Sequence, residues 1–173
     1  MGVYLIIDAR ETGTGGMEPY FKTVSPNIPY VVKTITTGDY VIMDGDKIVA
    51  AIERKTWKDL ADSIIDGRMD NHGKLVELKN KNNCLVYYLI EGALDLQRTT
   101  IIRKRPAKNL IAKLDHIQMR HPWVSVTHCK DKQATANRIA ELMRNYISLK
   151  SEDKQKIGNY YILTTDNCII DLL

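Results

Sequence analysis

Four acidic residues and one lysine have the types and the spacing that phosphodiester chemistry needs. Asp8 and Glu11 follow one apolar run, Asp39 follows a second, and Glu53 and Lys55 lie two positions apart near the end of a third. Carboxylate oxygens bind Mg²⁺ and Mn²⁺, and such an ion polarises a phosphoryl group and lowers the pKa of a bound water. A lysine adds positive charge without competing for the metal. The pattern predicts hydrolysis of phosphodiester bonds with Mg²⁺ or Mn²⁺ as the cofactor.

The two-residue spacing of Glu53 and Lys55 determines where their side chains point on a strand. Side chains alternate between the two faces of a strand, so Glu53 and Lys55 share one face and Arg54 occupies the other. If Asp39 lies on the neighbouring strand, two carboxylates and one ammonium group converge. We therefore expect an active site centred on Asp39, Glu53 and Lys55.

These residues are also part of a longer motif. Gly38-Asp39 is separated by thirteen residues from Glu53-Arg54-Lys55, and Asp59 follows after three more. Asp8-Ala9-Arg10-Glu11 precedes this pattern, and Ser63-Ile64-Ile65-Asp66-Gly67-Arg68 follows it. Together with Leu89-Ile90-Glu91-Gly92, the combination resembles the nuclease domain of the XPF family of structure-specific endonucleases, over about residues 3 to 148.

The resemblance implies a restriction-endonuclease-like fold with three layers, and cleavage of DNA at 3′ flaps, forks or related branched structures, normally as a homodimer or a heterodimer with a related subunit. It implies that the acidic metal ligands are Asp8, Glu11, Asp39 and Glu53, with the Arg54 carbonyl as a further ligand. Lys55 corresponds to the catalytic lysine. The positions that hold the carboxylates or the phosphate are Arg10, Arg54, Asp59 and Arg68. Residues 69–73 depart from the family pattern, and no helix-hairpin-helix module is visible.

Apolar periodicity divides the chain into alternating strands and helices. Strands are predicted at residues 3–8, 31–37, 40–43, 47–54, 84–91 and 123–129. Helices are predicted at residues 18–24, 56–66, 74–81, 106–119 and 131–149. The inward face of the last helix is expected to carry Ala136, Ile139, Ala140, Met143 and Ile147. Strands that alternate with helices indicate an α/β domain with a mixed central sheet flanked by helices.

The composition predicts one globular domain with a mildly basic surface. The chain has 173 residues, of which 44% are hydrophobic and 27% charged, and a formal net charge of +4. We assign the nuclease domain to residues 1–150. The polar segment 151–158 is typical of a linker, and residues 160–173 are expected to form one or two strands in a C-terminal extension. Such an ending is typical of a fragment of a longer protein.

The sequence predicts a soluble intracellular protein of the nucleus or cytoplasm. No apolar run reaches the eighteen residues of a membrane span, so no membrane partner is expected. The three cysteines, Cys84, Cys129 and Cys168, are odd in number and lack paired spacing, which favours reduced thiols. The four histidines show no metal-ligand spacing and receive no role.

One stretch of the chain concentrates positive charge. Its residues are Arg98, Arg103, Lys104, Arg105 and Lys108. A solvated loop explains such a run, but beside a nuclease site we favour contact with DNA phosphates.

Three alternatives stay open. Thr56 and Asp59 have the spacing of a capping box, so Asp59 either caps a helix or supports catalysis. The whole domain could be a catalytically inactive nuclease-like scaffold that binds DNA or a partner, although the retained Asp39, Glu53 and Lys55 favour activity. A Holliday-junction resolvase would use the same carboxylates and lysine on a different substrate.

Overall fold

Strands and helices alternate along the chain, as the apolar pattern predicts. The computed structural model describes residues 2–65, 70–93 and 101–158. Its strands are β1 (Val3–Asp8), β2 (Tyr30–Lys33), β3 (Tyr40–Asp44), β4 (Lys47–Thr56), β5 (Leu85–Glu91), β6 (Ile101–Ile102), β7 (Arg105–Pro106) and β8 (Val124–Cys129). Its helices are α1 (Glu18–Lys22), α2 (Trp57–Ile65), α3 (Asp70–Asn82), α4 (Ala107–Arg120), α5 (Lys132–Ser148) and α6 (Ser151–Lys154), with a 3₁₀ turn at Ala9–Glu11.

Six strands form one mixed sheet in the order β2-β1-β3-β4-β5-β8. β3 runs antiparallel to both of its neighbours, whereas β1 and β2 are parallel, as are β4, β5 and β8. The short strands β6 and β7 pair only with each other. This topology brings the ends of β1, β4 and β5 and the start of β3 to the same end of the sheet.

Two hydrophobic cores cover the two faces of the sheet. On one face, α2, α3 and α4 contribute residues such as Leu60, Leu75 and Leu114. On the other face, α1 and α5 contribute residues such as Phe21 and Ile139. The predicted α/β fold with helices on both sides of a mixed sheet is therefore confirmed.

The β3–β4 hairpin carries the segment with the candidate catalytic residues. Gly45 and Asp46 connect the strands, and Tyr40 pairs with Ile52. Residues 48–52 are buried because helices pack on both faces of the sheet here. β4 then continues past the start of β3, so its last residues lie at the end of the sheet.

Two predicted details are wrong. The predicted strand 31–37 stops at Lys33, because Ile35 turns inward and packs in the core with α2, α3 and α4. On α5 the buried stripe passes through Tyr146, whose hydroxyl donates to Asp44 Oδ2 at 2.7 Å. Ile147 is consequently 50% exposed instead of facing inward.

The segment 151–158 differs from the predicted linker, because it packs against the domain. It contains α6, and Lys47 Nζ donates to the carbonyl oxygen of Lys154 at 2.8 Å. Gly158 N–H donates to the Asn83 carbonyl at 3.0 Å, and its φ of +74° brings it against the backbone of Ile48. Polar side chains thus face solvent while the backbone is anchored. The strands expected within residues 160–173 lie outside the described residues.

Within residues 2–65, 70–93 and 101–158, no helix has both the length and the apolar character required to cross a membrane. Cys84 and Cys129 are buried free thiols. Cys168 lies outside the described residues.

Candidate active site

Gly38 allows Asp39 to lie directly against β4. Its φ is +78°, and a Cβ at this position would lie 3.2 Å from the Ile52 carbonyl oxygen, so both conformation and space favour glycine. Asp39 N–H then donates to Ile52 O, and Asp8 N–H donates to Asp39 O, both at 2.9 Å. Asp39 is therefore fixed between β1 and β4.

Glu53 and Lys55 lie side by side, in the arrangement that strand alternation predicts. Lys55 Nζ is 3.9 Å from Glu53 Oε1, and both side chains are largely buried. The same ammonium donates to Ser63 Oγ at 3.1 Å, and Ser63 in turn donates to the Asp59 carbonyl on α2. The ammonium is therefore held between a carboxylate of β4 and a hydroxyl of α2.

The Asp39 carboxylate is in an environment that disfavours its charge. Burial raises its pKa, the charges of Glu53 and Glu11 raise it further, and the pKa reaches about 8. The Arg54 backbone N–H, which donates to Asp39 Oδ2 at 2.8 Å, and the nearby Arg10 only partly oppose this effect. Asp39 therefore binds a proton at neutral pH unless another cation takes its place.

Arg54 faces the other side of β4 and neutralises two different carboxylates. Its Nε and Nη2 donate to Glu91 at 2.8 and 2.7 Å, and its Nη1 donates to Glu11 at 3.2 Å. Tyr40 also donates its hydroxyl to Glu11, and Thr135 donates to Glu91 at 2.7 Å. Glu11 and Glu91 thus each accept hydrogen bonds from two different side chains.

The pKa of Glu91 shifts in the opposite direction from that of Asp39. Burial opposes its ionisation, but the hydrogen bonds from Arg54 and Thr135 outweigh burial and lower the pKa. Glu91 is the acid of the Leu89-Ile90-Glu91-Gly92 motif, and here it pairs with an arginine inside the domain.

Asp8 is fully buried at the end of β1 and is bound by Arg10. The Arg10 guanidinium contacts the Asp8 carboxylate through two nitrogens and also donates to the Ile35 carbonyl at 3.3 Å. The hydrogen bond to Asp8 raises the pKa of Arg10 against the effect of burial, and the charges of Asp39 and Glu53 add to the rise. Arg10 therefore lies within electrostatic reach of all three carboxylates.

The four carboxylates that the resemblance implies as metal ligands do not converge as one group. Asp39 interacts electrostatically with Glu53 and Glu11, but Asp8 is ion-paired with Arg10 and Glu11 with Arg54. Among the residues that the structure describes, no three Asp, Glu, His or Cys side chains form a group that could hold a metal ion.

Asp59 forms the capping box at the start of α2. Its Oδ2 accepts hydrogen bonds from the backbone N–H and the hydroxyl of Thr56, at 3.4 and 2.7 Å. The Asp59 N–H donates back to the Thr56 hydroxyl at 3.1 Å. The helix-capping alternative is therefore the arrangement that the structure contains.

The described part of the basic stretch forms an exposed hairpin and the start of a helix. Arg103 and Lys104 connect β6 to β7, Arg105 lies on β7, and Lys108 lies on α4. Arg103 pairs with Asp62 of α2 at 3.4 Å. The hairpin is thereby held next to the helix that supports Lys55. Arg68 and Arg98 lie outside the described residues.

Four residues beside the site escaped the sequence interpretation. Tyr88 pairs with Glu53 in the β4–β5 register, its hydroxyl is 2.9 Å from His72 Nδ1, and burial followed by the charge of Glu53 raises its pKa. Thr135, Tyr40 and Ser63 supply the hydroxyls described above. Two of them had a sequence signal that could have identified them, because Tyr40 directly follows Asp39 and Ser63 begins the segment Ser63–Arg68 of the motif.

Comparison with known proteins gives a consistent family assignment. Residues 7–142 match the family model of the ERCC4 domain. An ERCC4 domain-containing protein from a Kenyan pig isolate of African swine fever virus is 31% identical over 121 residues, which cover 69% of this chain and 33% of the relative. The corresponding protein of a Namibian warthog isolate is 33% identical over 113 residues, covering 64% and 30%. The chain thus spans about a third of the length of these viral relatives.

Solved structures show the same fold. XPF from Aeropyrum pernix superposes with a TM-score of 0.64 at 23% identity, over 88% of this chain and 69% of the other. The same protein in complex with DNA gives a TM-score of 0.64 and 23% identity, over 86% and 68%. At this level of identity the likeness establishes a shared architecture.

Proposed function

The chain belongs to the ERCC4 domain family, and from this premise we propose that it is a metal-dependent endonuclease that cuts DNA at 3′ flaps, forks or related branched structures. The resemblance to the XPF nucleases is confirmed at the level of family and fold. The observation that carries the proposal is the grouping of Asp39, Glu53 and Lys55 at one end of the sheet. The proposal requires that these three residues are needed for cleavage.

The chemistry of Asp39 and Glu53 fits a divalent cation. Both supply hard oxygen ligands, and burial together with mutual repulsion raises the pKa of Asp39 to about 8. A bound cation favours the ionised carboxylates and relieves that repulsion. We assign Mg²⁺ or Mn²⁺ to this pair, with Asp8, Glu11 and the Arg54 carbonyl as the further ligands that the resemblance implies. When bound, the ion polarises a phosphoryl oxygen and lowers the pKa of a coordinated water.

Lys55 supplies a fixed positive charge beside these carboxylates. Its contacts with Glu53 and Ser63 hold the ammonium, so the charge is already in place when a phosphate arrives. In this position it orients the attacking water and offsets the negative charge that develops at phosphorus. Arg10, whose side chain is 69% exposed, supplies a second positive charge on the solvent side.

The basic hairpin gives the DNA a path to this site. Arg103 forms an ion pair with Asp62 of α2, and Ser63, which follows Asp62 in the chain, contacts Lys55. The hairpin therefore contacts α2, the helix that also contacts Lys55. We assign phosphate contacts to its basic residues and to their neighbours: Arg68, Arg98, Arg103, Lys104, Arg105 and Lys108. Such contacts position the backbone without reading its sequence.

A dimer belongs to the same proposal. Met119 near the end of α4 is 75% exposed and Ile147 near the end of α5 is 50% exposed, and both are large apolar side chains. We propose that these helices contribute to a homodimer or to a heterodimer with a related subunit. Light scattering of the purified chain tests the homodimer directly.

The inactive-scaffold alternative has one observation in its favour. Asp8 and Glu11 are engaged by arginines, and the described residues contain no group of three metal-binding side chains. The two alternatives differ in activity, because a scaffold leaves the DNA uncut, whereas the nuclease cuts it and requires Lys55 to do so.

The test uses a labelled panel of 3′ flaps, forks and four-way junctions with Mg²⁺, Mn²⁺ or a chelator. We expect one nick near the base of a flap or fork, dependent on the metal and lost in Lys55→Ala. Lys58→Ala is the matched control, because Lys58 is exposed on the adjacent turn of α2. Equal cleavage by wild type and Lys55→Ala would overturn the proposal. Paired symmetric nicks in the four-way junction would indicate a resolvase instead.

A further inference from the structure

A cavity of about 890 Å³ lies at the β8 edge of the sheet, between the loop after α1 and helix α5. It lies on the sheet face opposite Glu53 and Lys55. The charged side chains that line it are Lys130, Arg138, Glu141 and Arg144, so three cations face one carboxylate. The hydroxyls of Thr23, Ser25 and Thr127 complete a polar lining.

Two arginines of this cavity have buried nitrogens without a partner. Arg138 Nε and Arg144 Nη1 are inaccessible to solvent and make no hydrogen bond within the part of the chain that the structure describes. Arg138 uses only Nη1, which donates to Glu141 at 3.0 Å. The Arg138 side chain is nevertheless 28% exposed and Arg144 is half-buried, so an anion in the cavity would contact the exposed parts of these two guanidinium groups.

The arrangement of the arginines indicates more than one anionic group. The α5 residues Ala134, Asn137, Arg138, Glu141 and Arg144 recur every three or four positions, so they lie along one face of the helix. Arg138 and Arg144 are six residues apart, or about 9 Å along the helix axis. A single inorganic phosphate reaches one of them, whereas a chain of phosphodiesters reaches both.

We propose that this cavity is a phosphate-binding site that holds the backbone of a nucleic acid strand away from the scissile bond. The inference rests on the proposed function, because it gives bound DNA a second anchor. His128 on the rim stacks on Trp57 with 5.4 Å between ring centroids, and Trp57 lies two residues after Lys55. The cavity itself lies on the other face of the sheet, at the carboxyl end of β8, which is the end of the sheet that carries Glu53 and Lys55.

The test measures binding of a labelled 3′-flap DNA in the presence of chelator, so that no cleavage is required. We expect Arg138→Met with Arg144→Met to weaken binding about tenfold and to reduce the salt dependence by about one to two phosphate contacts. Its control, Arg120→Met with Lys150→Met, removes two exposed charges elsewhere and leaves the affinity nearly unchanged. Arg138→Lys with Arg144→Lys, which keeps both positive charges, should retain most of the affinity.

A second arm identifies the source of the phosphate and checks the fold. The Tm of the wild type and of Arg138→Met with Arg144→Met is measured with thymidine monophosphate or inorganic phosphate. A rise in the Tm of the wild type alone would show that the cavity also binds free anions. Unchanged DNA affinity and salt dependence, with no anion effect, would overturn the proposal. Loss of dimerisation alone would overturn it too, since the arginines would then belong to an interface. If the chain binds DNA through these arginines but never cleaves it, the nuclease assignment would be wrong and the phosphate-binding proposal for the cavity would still hold.

Discussion

Two pairs of carboxylates lie at the same end of the sheet and differ in what surrounds them. Asp39 and Glu53 form the open pair, in which burial, followed by the charges of Glu53 and Glu11, raises the pKa of Asp39 to about 8. Glu11 and Glu91 form the clamped pair, both hydrogen-bonded to Arg54, and the pKa of Glu91 is lowered. Ionisation of the carboxyl group is thus disfavoured at Asp39 and favoured at Glu91.

The difference originates in the alternation of a single strand. Glu53 and Arg54 are consecutive, so they point to opposite faces of β4. Arg54 therefore neutralises the acids on the α5 side, while on the other side Lys55 lies 3.9 Å from Glu53. We therefore expect the clamped pair to act on the stability of the fold, and we propose that the open pair binds a cation.

The largest effect is expected at the open pair. Glu53→Gln keeps the size of the side chain but removes a negative ligand, so we expect single-turnover cleavage of a 3′ flap to fall on the order of a hundred- to a thousandfold. Glu77→Gln on the exposed side of α3 is the control and should cleave normally. A Glu53→Gln protein that cleaves within a few fold of wild type would remove Glu53 from the catalytic group.

The clamped pair should instead respond in stability. Arg54→Met leaves Glu11 and Glu91 largely buried without their cation, so urea denaturation should show a loss of about 3 kcal/mol in the free energy of unfolding. The added change Glu91→Met should restore part of that loss, because it removes one of the stranded charges. A loss below about 1 kcal/mol would show that the clamp contributes little to the fold.

The pH dependence of stability distinguishes the pairs further. Because the folded-state pKa of Asp39 is raised from 3.8 to about 8, the metal-free fold binds a proton that the unfolded chain releases. This contribution is complete below pH 3.8 and is lost as the pH rises through about 8. Asp39→Asn should therefore reduce the fall in unfolding free energy between pH 6 and 9 by about 2 to 3 kcal/mol. Denaturation curves that fall equally in both proteins would contradict the raised pKa.

The smallest effect is expected at Asp59. If its role is the capping box, Asp59→Ala should cost about 1 kcal/mol of stability and change the cleavage rate only a few fold. Asp59→Asn, which keeps a hydrogen-bond acceptor, should recover most of that stability. If Asp59→Ala has normal stability but a strongly reduced cleavage rate, Asp59 acts in catalysis and not as a helix cap.

Local features of this chain could be predicted from its sequence, whereas pairings across the sheet could not. Strand alternation placed Glu53 beside Lys55, and three-residue spacing indicated the Thr56–Asp59 cap, because both depend only on neighbouring residues. The contact between Arg54 and Glu91 depends on the parallel register of β4 and β5, which no local pattern specifies. The prediction of a linker at residues 151–158 was wrong for a related reason. Its side chains are polar, but its backbone is hydrogen-bonded to Lys47 and Asn83, which are distant in sequence.

The central claim is that the open pair binds a divalent cation, and Mn²⁺ titration by calorimetry tests it most directly. Titrations at pH 7 in two buffers of different ionisation enthalpy give both the affinity and the number of protons released. We expect release of about one proton, because Asp39 is mostly protonated before the metal binds, and at least roughly tenfold weaker binding by Glu53→Gln. Equal affinity in Glu53→Gln, or binding without proton release, would contradict the claim.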